Sequence, residues 1–135
     1  MKNVLLAIIS LTGGIVSGIV GGFDTLFVIL CLLMLIDYIT GIMKGIYNKN
    51  LDSRVGLFGI LKKLVIVLIV VVAVCIDKLF ILKGVEYEFI RDIVIMFYII
   101  NEIISIIENV GVFVPVPKKI KNILEQLKNI SDDIE

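Results

Sequence analysis

Residues 4–43 read VLLAIISLTGGIVSGIVGGFDTLFVILCLLMLIDYITGIM and contain two long apolar runs, at residues 4–22 and 26–43, separated only by residues 23–25. Each run is close to the ~20 apolar residues that an α-helix needs to cross the hydrocarbon core of a bilayer. A helix satisfies its own backbone hydrogen bonds in lipid. The pattern therefore predicts two membrane-spanning helices joined by a tight turn.

Two further apolar runs follow, at residues 64–82 and 90–107. We predict an all-α, polytopic transmembrane protein with four spans in residues 1–113. The last run is interrupted in its middle by Asn101 and Glu102, and charged groups are costly at that depth. The alternative is that this run forms a helix on the membrane surface, which would leave three spans.

The composition excludes several classes of function. Of the 135 residues, 59% are hydrophobic, against about 45–50% in soluble domains. Thirteen basic and thirteen acidic residues give zero net charge, so no overall field favours nucleic acid. The two cysteines, Cys31 and Cys75, lie within apolar runs and are interpreted as small hydrophobic residues. With no histidine and no catalytic or phosphate-binding motif, we expect neither an enzyme nor a cofactor or metal site.

The distribution of basic residues predicts the orientation, because lysine and arginine are retained on the cytoplasmic side. The loop between the second and third runs carries five of them: Lys44, Lys49, Arg54, Lys62 and Lys63. With four spans, this loop falls on the same side as Lys2 and the C-terminal lysines. We therefore predict that both termini are cytoplasmic.

Residues 114–135 have a different pattern. Pro115 and Pro117 break the preceding helix, and Pro117 is placed to start a new one that begins with Lys118 and Lys119. Apolar residues then recur at helical period between lysines, which predicts a short amphipathic cytoplasmic helix. Such a helix can lie on the inner leaflet or pack against the same helix of a neighbouring copy.

The first span has small residues at every fourth position: Ser10, Gly14, Gly18 and Gly22. In lipid, a row of small residues lets two helix backbones approach closely enough for van der Waals packing to join them. One interpretation is an oligomerisation face between copies of the chain. The other is packing against a second helix of the same chain.

Polar residues inside the spans are the remaining candidates. Asp37, Thr40 and Gly41 share a face of the second span, and Asp77 lies near the end of the third. We interpret Asp37 as part of an intramembrane pair, or else as a group near the headgroups. The fourth span carries one polar stripe: Tyr98, Asn101, Glu102, Ser105, Glu108 and Asn109. The stripe is predicted to be hidden in a closed assembly and to line an aqueous lumen when it opens; the alternative is a permanent helix contact.

Several short motifs occur in a fixed order between residues 26 and 127: Asp37-Tyr38-Ile39-Thr40-Gly41, Leu51-Asp52-Ser53-Arg54-Val55-Gly56, Gly59-Ile60-Leu61-Lys62-Lys63, Asn101-Glu102, Ser105-Ile106, Glu108-Asn109 and Val114-Pro115-Val116-Pro117-Lys118-Lys119. In this order, and relative to the spans, they resemble the phage lysis and clostridial toxin-secretion holins, the phage holin family 4 type.

The resemblance implies a protein of the bacterial cytoplasmic membrane that forms homo-oligomeric lesions. An endolysin or a large toxin would be its passive cargo, and an antiholin would be a further partner. Two alternatives stay open, because a few residues can separate them from an active holin. One is an antiholin-like regulator, and the other is a small channel or transporter subunit.

Overall fold

The computed structural model describes residues 1–50, 52–85 and 88–132. Within them the chain forms helices and no strand: α1 (Lys2–Val20), α2 (Thr25–Tyr47), α3 (Ser53–Leu82), α4 (Ile90–Val110) and α5 (Lys118–Asp132). The first four are long and apolar enough to cross a membrane. The predicted all-α class and its four span-length helices are confirmed. Leu51 of the basic-loop motif and residues 133–135 of the predicted tail lie outside the described residues.

The turn between α1 and α2 is built from two glycines and an aspartate. Gly21 has a φ of 78° and its N–H donates to the carbonyl of Ser17, which ends α1 at Val20. Glycine adopts this left-handed conformation without steric cost. Asp24 then caps α2 by accepting a hydrogen bond from the N–H of Phe27 at 3.0 Å. Gly22, placed by the sequence in the first span, therefore lies in the turn.

Helix α3 begins much earlier than the apolar run at residues 64–82. The carboxylate of Asp52 accepts a hydrogen bond from the N–H of Arg54 at 2.9 Å, which starts the helix at Ser53. At thirty residues α3 is about 45 Å long, whereas the hydrocarbon core is only about 30 Å thick. Of the five basic residues assigned to a loop, four lie on helices; Lys49 is in the short connection between α2 and α3.

Helix α4 is the centre of the fold. It packs along α2 most extensively and along α3 next, whereas α1 contacts α3. Val20, at the end of α1, is the buried residue of that helix. The side chains of the apolar core come from all four helices: Val20, Phe27, Leu30, Met34, Ile66, Val70 and Ile95. Large apolar residues also cover the outside of the bundle, as expected where the surrounding solvent is lipid.

The connection from α4 to α5 follows the proline pattern. The carbonyl of Pro117 accepts hydrogen bonds from the N–H groups of Ile120 and Lys121, at 2.9 and 3.2 Å, and α5 starts at Lys118. The ring of Phe113 meets the ring of Tyr47, at the end of α2, with centroids 5.1 Å apart. This contact fixes the connection against the bundle.

Candidate functional site

A cluster of polar side chains joins α2, α3 and α4 near the end of the bundle where α2 connects to α3. Its centre is Lys63, whose Nζ lies 2.8 Å from Asp37 Oδ2 and 2.5 Å from Glu102 Oε2. One ammonium group on α3 is therefore shared by carboxylates from α2 and α4. We call the full set the polar cluster: Asp37, Thr40, Lys44, Lys63, Glu102 and Asn109.

Asn109 extends the polar cluster by one turn of α4. Its Nδ2 donates to Asp37 Oδ1 at 3.1 Å and to Thr40 Oγ1 at 3.4 Å. Its Oδ1 accepts from Lys44 Nζ at 3.5 Å. The Asn109 amide thus links Lys44 on α2 to the Asp37 carboxylate, which Lys63 on α3 also contacts. The cluster therefore forms one continuous network.

The charges of the polar cluster are removed from solvent. The side chain of Glu102 is 1% exposed, and those of Lys63 and Asp37 are 14% and 13% exposed. In a bilayer an unpaired charge at such a position is costly, so the ion pairs hold α2, α3 and α4 together. Across the described residues, every buried side-chain nitrogen or oxygen has a hydrogen-bond partner. Separating these helices in lipid would leave the carboxylates without lysine or solvent partners. In water, the solvent would hydrate the freed carboxylates.

A cavity of about 350 Å³ lies beside the polar cluster, between α2 and α3. Glycines on both helices leave this space open: Gly41, Gly45, Gly56 and Gly59. Asp37 and Lys63 line one part of the cavity, and Asn48, Asn50 and Asp52 line another, at the connection between the two helices. A cavity of this size, with polar side chains along part of its wall, has room for several water molecules.

A second ionic group lies at the opposite end of the bundle, where α1 turns into α2. Arg91, on the first turn of α4, donates from Nη1 to Asp24 Oδ2 at 2.8 Å and from Nη2 to Asp24 Oδ1 at 3.1 Å. Its Nε also donates to the carbonyl of Val20 at 2.7 Å, and Nη2 donates to the carbonyl of Gly22 at 3.0 Å. The guanidinium therefore ties the end of α1 and the start of α2 to α4.

The same contact changes the acidity of Asp24, which lies in the turn outside the spans. The hydrogen bond from Arg91 lowers the pKa of the Asp24 carboxyl from its ordinary value of 3.8, against the opposing effect of burial. The N–H of Phe27 also favours the ionised form. Asp24 consequently stays ionised at neutral pH and remains able to bind Arg91.

Asp77 has a structural position of its own. Its carboxylate, 2% exposed, accepts hydrogen bonds from the N–H groups of Phe89, Ile90 and Arg91 at 3.3, 3.0 and 2.8 Å. These are N–H groups at the start of α4 that have no partner within the helix. Asp77 of α3 therefore caps α4 and takes no part in the polar cluster.

The residues of the polar stripe of α4 lie in different surroundings within the single chain. Glu102 and Asn109 belong to the polar cluster, and Ser105 lines the cavity beside it. Asn101 is half-buried. Glu108 is exposed, with Oε1 3.6 Å from Lys128 Nζ on α5. The single chain thus turns one part of the stripe inward and leaves Glu108 outside.

The small-residue face of α1 is uncovered in the single chain. Ser10, Gly14 and Gly18 are exposed, and a side chain placed at Gly14 or Gly18 would meet no atom within 4 Å. Gly22 is not on this face, because it lies in the turn and its carbonyl binds Arg91. The remaining predicted residues are also exposed: Lys49, Arg54, Lys62, Pro115, Pro117, Lys118 and Lys119.

The pairing of Arg91 with Asp24 was not predicted from the sequence, although a signal for it exists. Both residues belong to segments that a four-span topology places at the same end of the bundle. Opposite charges in two such segments, with Gly21 and Gly22 beside one of them, favour a contact across the turn. The contact is tight, because a Cβ on Gly21 would lie 2.8 Å from the side chain of Arg91.

The chain is similar to known proteins over most of its length. Residues 14–129 match the model of the bacteriophage holin family. The chain is 42% identical over 118 residues to an uncharacterized 14.9 kDa protein of Clostridium perfringens, covering 87% of each chain. It is 35% identical over 105 residues to a probable holin of Bacillus phage phi105, covering 77% of this chain and 75% of that one. No solved structure matches it.

Proposed function

Because the chain belongs to the bacteriophage holin family, we propose that it acts as a holin: copies assemble in the bacterial cytoplasmic membrane and open passive lesions there. An endolysin or a large toxin would cross through these lesions, giving host lysis or toxin secretion. The probable holin of phage phi105 supports this role by its similarity to the chain. In the proposed topology both termini, the polar cluster and the α2–α3 connection face the cytoplasm.

The polar cluster is the observation that carries the mechanism. In the closed chain, Lys63 pairs with carboxylates from two other helices, and Lys44 supplies a second positive charge through Asn109, so the bundle can be stored in lipid. Moving these helices apart is unfavourable in lipid and becomes acceptable where water can solvate the freed charges. We therefore expect opening to be cooperative, with several subunits turning their polar faces toward a common aqueous lumen at once.

The small-residue face of α1 provides a surface for assembly. A Cβ on Gly14 or Gly18 would meet no atom of the described residues within 4 Å, so a helix of a second copy can approach the backbone of α1 closely. Helix α1 is fixed to the bundle chiefly at its end, through Val20 and the Arg91 contacts. This arrangement leaves most of its length available for contact between copies.

Controlled expression in bacteria tests the proposal, with membrane potential and release of a cytosolic protein followed over time. The experiment is run with and without a co-expressed endolysin. A holin gives abrupt depolarisation after a lag, and rapid lysis only when the endolysin is present. A Lys62→Met variant is expected to behave like the native chain in this assay, because Lys62 is exposed and does not belong to the polar cluster.

The other outcomes identify the alternatives. Depolarisation without release of protein would indicate a small channel or transporter subunit. Intact cells that contain a well-inserted oligomer would indicate an antiholin-like regulator, which would then delay an active holin when the two are expressed together. Either result would overturn the holin proposal.

A further inference from the structure

The C-terminal helix α5 has an apolar face that the rest of the chain leaves largely uncovered. At about 100° per residue, Ile120, Ile123, Leu127 and Ile130 fall on one side of the helix. Ile120, Ile123 and Ile130 are 41%, 56% and 58% exposed. An isolated helix of this length is marginally stable in water. The face is therefore available to an apolar partner outside the chain.

Helix α5 approaches the bundle by a different side. Lys121, Leu124 and Glu125 face the end of α4 across a cavity of about 340 Å³. Further along the same side, Lys128 Nζ lies 3.6 Å from Glu108 Oε1, with both side chains more than half exposed. An ion pair this exposed contributes little free energy. The contact with α4 thus positions α5 without burying its apolar face.

The position of α5 restricts the partner. Helix α4 ends at Val110 and α5 begins at Lys118, and the short distance from Lys128 to Glu108 shows that α5 lies beside the last turn of α4. Helix α5 therefore lies at the level where α4 leaves the membrane. Lysines border its apolar face on both sides: Lys119 on one, Lys121 and Lys128 on the other. Apolar side chains between two rows of lysines fit a surface of anionic phospholipid.

We infer that α5 lies in the interface of the leaflet from which α4 emerges, with its isoleucines at the acyl boundary and its lysines on anionic phospholipid headgroups. The inference rests on the membrane insertion of the proposed function and adds a lipid partner to it. In the proposed topology this leaflet is the cytoplasmic one. Anionic lipid would then hold α5 flat and fix the proline-containing connection at the end of α4.

A depth measurement on the full-length chain tests the inference. Cys31 and Cys75 are replaced by alanine, and a single cysteine is introduced by Ile123→Cys on the apolar face or by Asn122→Cys on the polar side, about 100° around the helix. A fluorophore on that cysteine is quenched by nitroxide-labelled lipid in vesicles of phosphatidylcholine, with or without phosphatidylglycerol. We expect severalfold stronger quenching at position 123 than at position 122, and an increase at position 123 when phosphatidylglycerol is present.

The lysines are tested in the same vesicles. Lys119→Gln together with Lys121→Gln is expected to remove most of the dependence on phosphatidylglycerol, whereas Lys62→Gln on α3 is not. Equal quenching at positions 122 and 123 would overturn the inference. A second outcome would also overturn it: quenching at position 123 falls as the protein-to-lipid ratio rises, and a pyrene label at that position forms excimers. A second copy of the chain would then cover the face. The quenching measurement needs no open lesion. It can therefore support or overturn the lipid contact of α5 whether or not the chain acts as a holin.

Discussion

Lys63 Nζ on α3 and Glu102 Oε2 on α4 lie 2.5 Å apart, and Glu102 is almost completely buried. The two residues are 39 positions apart in the sequence, and their contact joins α3 to α4. Because Lys63 also contacts Asp37, it is the one side chain whose removal would leave two carboxylates of the polar cluster without their ammonium partner.

Replacing Lys63 by methionine removes the ammonium group and keeps an unbranched apolar side chain that is nearly as long. Breaking a buried ion pair in this way costs about 3–5 kcal/mol, because the remaining charge has no partner. We expect the Lys63→Met protein to accumulate less in the membrane fraction and to depolarise the membrane earlier than the native chain. Quantitative immunoblotting and a potential-sensitive dye measure the two effects. If Lys63→Met behaved like the Lys62→Met control, the polar cluster would not stabilise the closed chain.

The coupling inside the polar cluster can be measured directly. Asp37→Asn and Lys63→Met remove the two ends of one contact, so their effects should not add. In a thermal-unfolding cycle of the purified chain in detergent, we expect a coupling free energy of about 1–3 kcal/mol. Asp52→Asn with Lys63→Met serves as the reference pair, since no contact joins those residues. Additive effects for the first pair would contradict the structure.

The Arg91–Asp24 contact predicts a specific acid sensitivity. The pKa of Asp24 is lowered in the folded chain, so the stability it contributes is present above the unfolded pKa of about 3.8. It is lost as the pH falls through the lower folded pKa. We therefore expect the native chain to lose more stability below pH ~4 than Asp24→Asn does, in unfolding experiments in detergent. Asp92→Asn, at the exposed carboxylate 3.2 Å from Arg91, is the control and should change this dependence less.

The uncovered face of α1 predicts that substitutions on it impair assembly between copies without impairing the folding of the single chain. Gly14→Leu and Gly18→Leu add side chains where the chain has no atom within 4 Å, so the folded monomer should tolerate them. The same side chains would keep a second helix from approaching, and we expect fewer cross-linked oligomers and delayed depolarisation. Thr12→Leu, on the opposite side of α1, should leave both unchanged. Normal oligomers in the glycine variants would exclude this face as the interface.

The cavity beside the polar cluster predicts a pattern of thiol labelling. In a chain lacking Cys31 and Cys75, Ser105→Cys lines the cavity and should react with a membrane-impermeant thiol reagent applied from the cytoplasmic side before opening. Ile95→Cys, at a fully buried position, should not react. Asn101→Cys should react only after permeabilisation, if the stripe turns toward water. Labelling at position 95 before opening would mean that water passes beyond the polar cluster.

The four span-length helices were predictable because they follow from local composition. An apolar run of about 20 residues needs a helix in lipid whichever neighbours it has. The ends were harder to predict, because they depend on single capping groups. Asp52 extends α3 back to Ser53, and Gly21 ends α1 before Gly22.

The sequence by itself determined an all-α chain with four helices long enough to span a membrane, an amphipathic tail, and the polar residues that require partners. The tertiary structure decided which partner each one has. Lys63 pairs with residues 26 and 39 positions away, and Arg91 pairs with one 67 positions away. Such pairings depend on how each helix is rotated about its axis and how far it is shifted along it. That rotation and shift are set by the packing of all the helices together, which no single segment encodes.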